Sequence, residues 1–193
     1  MQNILNNQKQ RILTLTIQVV IPAFFIALFT FTSVARGADE NWVEFGARLG
    51  YSKDVGGENF SQLELATSYR LPKSWMLDGG WILESRIYAS AGALRRDGGE
   101  TAAIVTIGPG LAWVSPSQQY AIEAGINPTL MSKHEFGEAD FGGNFQFTSF
   151  VGVNARLGEQ VSATVRVQHM SNASIYSPNP GLDQTMLGIY YRF

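Results

Sequence analysis

Residues 183–193 read Asp-Gln-Thr-Met-Leu-Gly-Ile-Tyr-Tyr-Arg-Phe. Leu187, Ile189, Tyr191 and Phe193 fall on one parity of this stretch, with Gly188, Tyr190 and Arg192 on the other. Successive side chains of an extended chain point to opposite faces, so the segment reads as a strand with one apolar face. Counting back by twos from Phe193 carries that face through Thr185 to Asp183.

Upstream the same alternation recurs. Residues 161–171 set Val161, Ala163, Val165 and Val167 against Ser162, Thr164, Arg166 and Gln168, and residues 42–51 set Val43, Phe45, Ala47, Leu49 and Tyr51 against Glu44, Gly46, Arg48 and Gly50. Further copies occupy 62–71, 81–90, 103–113, 120–128 and 145–155, making eight segments, with Ser85 the polar residue on an apolar face. A soluble sandwich would alternate as well. Segment length and segment ends decide between the two. Strands of about ten residues tilted by roughly 40° cross the ~25 Å apolar band of an outer membrane, and an alternating strand ending on an aromatic resembles the sorting signal of bacterial outer-membrane barrels. The expected fold is all-β: an eight-stranded antiparallel transmembrane β-barrel. Short periplasmic turns are expected at Pro72-Lys73-Ser74, 114–119 and 157–160, and most of the other connections, rich in Gly, Asp, Asn and Glu, are expected to be longer outer loops. Pro109 and Pro128, inside strand segments, predict bulges or kinks.

Lys9 and Arg11 precede a nearly uninterrupted apolar and threonine-containing run over 12–31, and no acidic residue occurs before Asp39. Small residues at Ser33 and Ala35, or at Ala35 and Gly37, supply a cleavage site, so residues 1–37 read as a signal peptide cut near Ala35 or Gly37, leaving 38–193 as one barrel domain. A retained membrane anchor would lack that adjoining site. Removal of Lys9, Arg11 and Arg36 from the 14 basic residues leaves 11 against 16 acidic ones, a net charge of −5. Such a chain carries no electrostatic footprint for nucleic acid. With 45% hydrophobic residues it is too apolar for disorder, and with no cysteine it can hold neither a disulfide framework nor a thiolate metal site.

Extending the apolar parity of 161–171 brings His169 and Ser171 onto the lipid-facing side, although the opposite parity holds the polar residues of that strand. Polar groups at the membrane–water interface occur freely, but an ionisable residue on a lipid face is a functional hypothesis by default. Residues i and i+2 of a strand place their Cβ atoms roughly 6.5–7 Å apart, within reach of an imidazole that activates a hydroxyl. A hairpin folded about residue 176 sets Asp183 opposite His169. Nucleophile, base and orienting acid would then share one exterior face.

The segment His169-Met170-Ser171-Asn172-Ala173, followed by Pro178-Asn179-Pro180-Gly181-Leu182-Asp183 and a terminal alternating strand, resembles the catalytic end of the PagL family of lipid A 3-O-deacylases. The resemblance implies His169 as base, Ser171 as nucleophile and Asp183, fourteen positions after the histidine, as acid. It further implies an outer-membrane esterase that removes the 3-O-linked acyl chain of lipid A in the outer, lipopolysaccharide leaflet, without a metal or other cofactor. Asp183 stands where a family member has Glu, and Ser174 where it has Gly. The N–H groups of Asn172 and Ala173, with the side chain of Asn172 or Asn179, are the oxyanion candidates.

Other signals read differently. His134, Glu135, Glu138 and Asp140 lack metal-ligand spacing and read as a solvated outer loop. Arg95, Arg96 and Lys133 are outer-loop cations that could meet lipid A phosphates. Glu44, Arg48, Glu64, Arg70, Glu84, Arg86, Glu123 and Arg156 point into a narrow lumen where they would pair, which disfavours a pore. The alternatives are a non-enzymatic surface barrel, adhesin or tether, which leaves three polar residues on a lipid face unexplained, and a calcium-dependent outer-membrane phospholipase, which resembles larger barrels. Whether two copies pair as a homodimer is left open by the sequence.

Overall fold

The computed structural model describes residues 40–193; the expected signal peptide at 1–37 lies outside them. Ten strands follow one another: β1 Trp42–Val55, β2 Glu58–Met76, β3 Ile82–Arg96, β4 Thr101–Val114, β5 Tyr120–Met131, β6 Glu135–Phe136, β7 Ala139–Asp140, β8 Phe145–Arg156, β9 Val161–Ser171 and β10 Leu182–Arg192. Eight of them close an antiparallel barrel in the order β1-β10-β9-β8-β5-β4-β3-β2, while β6 and β7 form a separate two-stranded hairpin. Closure is made by β1 against β10, from Glu44 opposite Arg192 to Tyr51 opposite Thr185. Closure leaves none of these eight strands at a sheet edge, which the hydrocarbon requires.

Parity sorts the side chains as the sequence implies. Leu49, Ile107, Ile126, Val165 and Leu187 stand exposed on the outside. Trp42 against Tyr69, Trp81 against Trp113 and Tyr191 against Phe193 make edge or tilted ring pairs at 5.0–5.6 Å near the periplasmic rim, an aromatic girdle at the interface. Inside, Arg48 pairs with Glu64, which also accepts from Gln62 and Ser90. Arg86 bridges Glu84 at 2.6 Å and Glu123 at 2.8 Å, and Glu44 accepts from Asn154 and Ser162. The guanidinium of Arg166 lies 3.6 Å over the Phe150 ring. The lumen is therefore filled, mostly by charges that pair with one another.

The strands are longer than the expected ten residues, running from 11 to 19 in the barrel. The extra length lies in the first hairpins: β1 and β2 are joined by Gly56 and Gly57 alone, whose φ of 59° and 84° suit a two-residue turn. A long outer loop between them is thus replaced by continued pairing. Pro72-Lys73-Ser74 is likewise no turn. β2 runs on to Met76, and the chain reverses through a 3₁₀ turn at Asp78–Gly80. The register steps from Arg70 opposite Arg86 to Ser74 opposite Glu84, so Leu71, Pro72 and Lys73 bulge across from Ser85. Proline has no N–H to give the ladder, and the bulge accommodates it. Ser85, the polar residue on an apolar face, donates to the Lys73 carbonyl at 2.6 Å. Pro109 and Pro128 make no register shift: Thr106 opposite Thr129 and Gly110 opposite Gly125 keep one frame, and the pairing is only interrupted between them.

At the outer end the lumen turns apolar. Phe136 and Phe141 from the β6–β7 segment drop between the strand ends onto Phe60, with ring centroids 5.4–6.0 Å apart, and join Leu94, Ile104, Met131, Met170 and Leu182 in one buried cluster. This plug positions the site described next.

Ser85→Ala should lower the barrel's stability by about 1 kcal/mol, because it removes the donor that satisfies Lys73 at the bulge. Urea titration followed by heat-modifiable migration measures it, with Ser85→Thr, which keeps the hydroxyl, near the parent midpoint.

Candidate active site

The site grows from the register of β9 and β10. Met170 faces Leu182 and both side chains are buried in the plug, each 1% exposed. The next pair, His169 opposite Asp183, must then point outward. His169 Nδ1 lies 2.7 Å from Asp183 Oδ1, with the imidazole side chain 49% exposed and the carboxylate 87% exposed. Engaging Nδ1 leaves Nε2 as the ring's other nitrogen for proton transfer. On the opposite side, β8 sets Ser149 beside His169 and Phe147 beside Ser171. The Ser149 hydroxyl donates to the His169 carbonyl at 3.4 Å. Ser171, half-buried on the same parity as His169, makes no hydrogen bond to the imidazole among the described residues. A groove of about 630 Å³ opens along this face between Tyr51, Ser149, Val167, His169, Asp183 and Thr185.

The loop from 172 to 181 is latched to the plug. Asn172 is fully buried, and its Nδ2 donates to the carbonyls of Phe141 at 2.9 Å and Pro178 at 3.0 Å. Its N–H donates to Asn179 Oδ1 at 3.0 Å, and the Tyr176 N–H donates to Asn172 Oδ1 at 3.4 Å. Both amide hydrogens of the Asn172 side chain are thereby used, as is its backbone N–H. This differs from the expectation that Asn172 offers oxyanion donors: its burial and latch role take them up. The Ala173 N–H and the Asn179 NH₂ group are not used by these bonds. Ala173 and Ser174 take φ of 51° and 63°, the left-handed region that disfavours a Cβ, so Ser174 stands in a conformation that glycine adopts more readily. Gly142 lets the loop approach closely, since a Cβ there would run into the Pro178 carbonyl oxygen.

The segment holding His134, Glu135, Glu138 and Asp140 is more than a solvated loop, because Phe136, Ala139 and Phe141 are buried from within it. Ligand atoms of His134, Glu135 and Asp140 lie within 4.8 Å of one another. His134 Nδ1 is 2.8 Å from Asp140 Oδ1, which also accepts the Gly142 N–H at 2.7 Å. The Gly142 N–H, and after it His134, hold the Asp140 carboxyl below the usual carboxylate range. The pair thus braces the stretch whose Phe141 carbonyl holds Asn172. Arg96 bonds Glu58 and Glu100, and Lys133 bonds Glu100 at 2.7 Å, so two of the three outer cations are already matched by acids. Ser149 and the plug escape sequence reading: Ser149 lies twenty residues before His169 in no recognisable motif, and the aromatic residues of the plug sit in a stretch rich in charge and glycine.

Comparison with known proteins speaks to this arrangement. A family model described as lipid A 3-O-deacylase (PagL) matches residues 46–192. The chain belongs to the lipid A 3-O-deacylase (PagL) family. A lipid A deacylase PagL of Bordetella bronchiseptica is 38% identical over 76 residues, covering 39% of this chain and 43% of that protein. Its namesake in Pseudomonas aeruginosa is 30% identical over 129 residues, 62% of this chain and 75% of that one. The crystal structure of the outer membrane enzyme PagL superposes with a TM-score of 0.63 at 23% identity, covering 76% of this chain and 97% of that chain, which is a likeness of fold. The barrel with its apolar outer face is that of an outer-membrane protein.

Asn172→Ala should free the 172–181 loop, seen as faster nicking there by a protease added to intact detergent-solubilised barrel. Ser174→Gly should slow that nicking, since it relieves a left-handed residue that costs roughly 1–2 kcal/mol.

Proposed function

We propose that this chain, after loss of residues 1–37, hydrolyses the 3-O-linked acyl ester of lipid A from within the outer membrane, as a serine esterase. The observation that carries the reading is the 2.7 Å His169–Asp183 bond on the outward parity of β9 and β10, with Ser171 two residues along the same face. β10 ends at the periplasmic rim, so its start and the end of β9 lie at the outer leaflet. A substrate whose acyl chains already lie in that leaflet reaches such a site sideways, and the filled lumen is no obstacle.

His169 Nε2 takes the Ser171 proton as Oγ attacks the acyl carbonyl, and Asp183 holds the Nδ1–H and balances the imidazolium. Collapse of the tetrahedral adduct breaks the ester bond; the sugar hydroxyl leaves with the proton from His169, and the acyl group stays on Ser171. Water, deprotonated by His169, then releases the fatty acid and restores the serine. Oxyanion stabilisation falls to the Ala173 N–H and the Asn179 NH₂ group.

Mass spectrometry of lipid A from expressing cells should show loss of one 3-linked hydroxyacyl chain, abolished by Ser171→Ala in a barrel that still folds. Intact lipid A alongside the folded parent protein would favour the surface-barrel alternative. Activity should persist in excess EDTA; loss restored by Ca²⁺ would point to the phospholipase mechanism instead.

Asp183→Asn should lower kcat by on the order of 10²-fold or more, as neutralised triad acids can lose about 10⁴. Asp183→Glu keeps the charge and should retain substantial activity. A folded Asp183→Asn protein working at the parent rate would reduce the site to a Ser–His dyad.

A further inference from the structure

The residue entering β10, Gly181, combines two constraints. Its φ is +72°, and a Cβ built on it would lie 2.8 Å from His169 Cε1, 3.6 Å from Nε2 and 3.7 Å from Nδ1. A Cε1 distance shorter than both nitrogen distances, which are themselves nearly equal, puts that point at the Cε1 edge of the ring. The bare Cα of Gly181 therefore faces the edge between the nitrogen that meets Asp183 and the nitrogen that would take the proton.

The backbone at 181 is fixed, and the ring can yield only by leaving its place against Asp183. Leu182, the next residue, is buried in the plug and paired with Met170, which pins the backbone of Gly181. Pro180, just before, has its own φ locked by the pyrrolidine ring. The imidazole is held by its 2.7 Å bond to Asp183. A side chain at 181 needs ordinary contact of at least 3.4 Å where 2.8 Å is available, so the ring must move by about 0.6 Å or turn away from the carboxylate. By contrast Gly98, in the β3–β4 turn, has φ +79° and nothing within 4 Å of its Cβ position.

We propose that Gly181 is a positioning residue for His169: the absence of a side chain there is what lets the imidazole stand at once against Asp183 and toward the nucleophile. This rests on the triad reading above. The role acts through the ring and leaves the substrate's own contacts untouched, so it belongs to kcat.

Gly181→Ala should lower kcat by on the order of 10²-fold, the effect of displacing a catalytic group by a fraction of an ångström to an ångström, with KM changed less than about threefold. Gly181→Asn, whose side chain tolerates left-handed φ but still carries a Cβ, should show the same loss. Gly98→Ala, which bears the φ strain alone, should stay within about twofold of the parent. In an Asp183→Asn background, Gly181→Ala should lower kcat by less than about threefold further, because the geometry it disturbs is already broken. An equal loss in both backgrounds would make Gly181 a merely structural glycine and overturn the proposal. A folded Gly181→Asn protein at the parent rate would also overturn it while leaving the triad reading intact, whereas a parent-rate Asp183→Asn protein would remove the acid from the triad. If neither Gly181 variant folds, nuclear Overhauser contact between His169 Hε1 and the Gly181 α-protons in the parent protein decides: contact is expected, and its absence would refute the placement.

Discussion

Met170 and Leu182, packed against each other in the mouth of the barrel, fix everything outside it. Strand side chains alternate with a period of two, so burying this pair leaves His169 and Asp183 no face but the outer one. A slip of one residue would put the imidazole among Phe60, Phe136 and Phe141 and expose two apolar chains in its place. The apolar plug is thus the reference from which the site's geometry follows. The polar middle of the lumen adds stiffness. Arg48, Glu64, Arg86, Glu84 and Glu123 have been taken out of water, and such a network is tolerable because each charge has an opposite partner.

Much of this was legible from residue order alone. Eight alternating segments, an aromatic terminus and a fourteen-residue interval between His169 and Asp183 depend on local periodicity, which a chain carries in plain form. Proline punctuates turns and bulges alike, so the sequence around Pro72 suits either, and only the partner strand, with Ser85 ready to bond the freed Lys73 carbonyl, distinguishes them. The length of β1 and β2 was hidden for a similar reason: Gly and acidic residues near 53–59 suit a loop and equally a tight hairpin above the membrane.

What stayed invisible is long-range. Nothing near Asn172 announces that its amide holds Phe141, thirty-one residues away, and nothing near Phe136 says that a charged-looking loop folds inward. Gly181 reads from sequence as an ordinary turn glycine after proline. Its relation to the imidazole appears only once β9 and β10 are in register. Sites assembled from one hairpin are readable; the supports beneath them come from elsewhere in the chain.

The two prolines facing one seam have a mechanical meaning. Pro109 in β4 and Pro128 in β5 bring no N–H to the wall, and the rungs between Thr106–Thr129 and Gly110–Gly125 are missing. A cylinder with a partial slit is compliant at the slit and rigid around the rest of its circumference. The interrupted seam between β4 and β5 lies three seams along the wall from the hairpin that carries His169 and Asp183, whose own ladder is continuous.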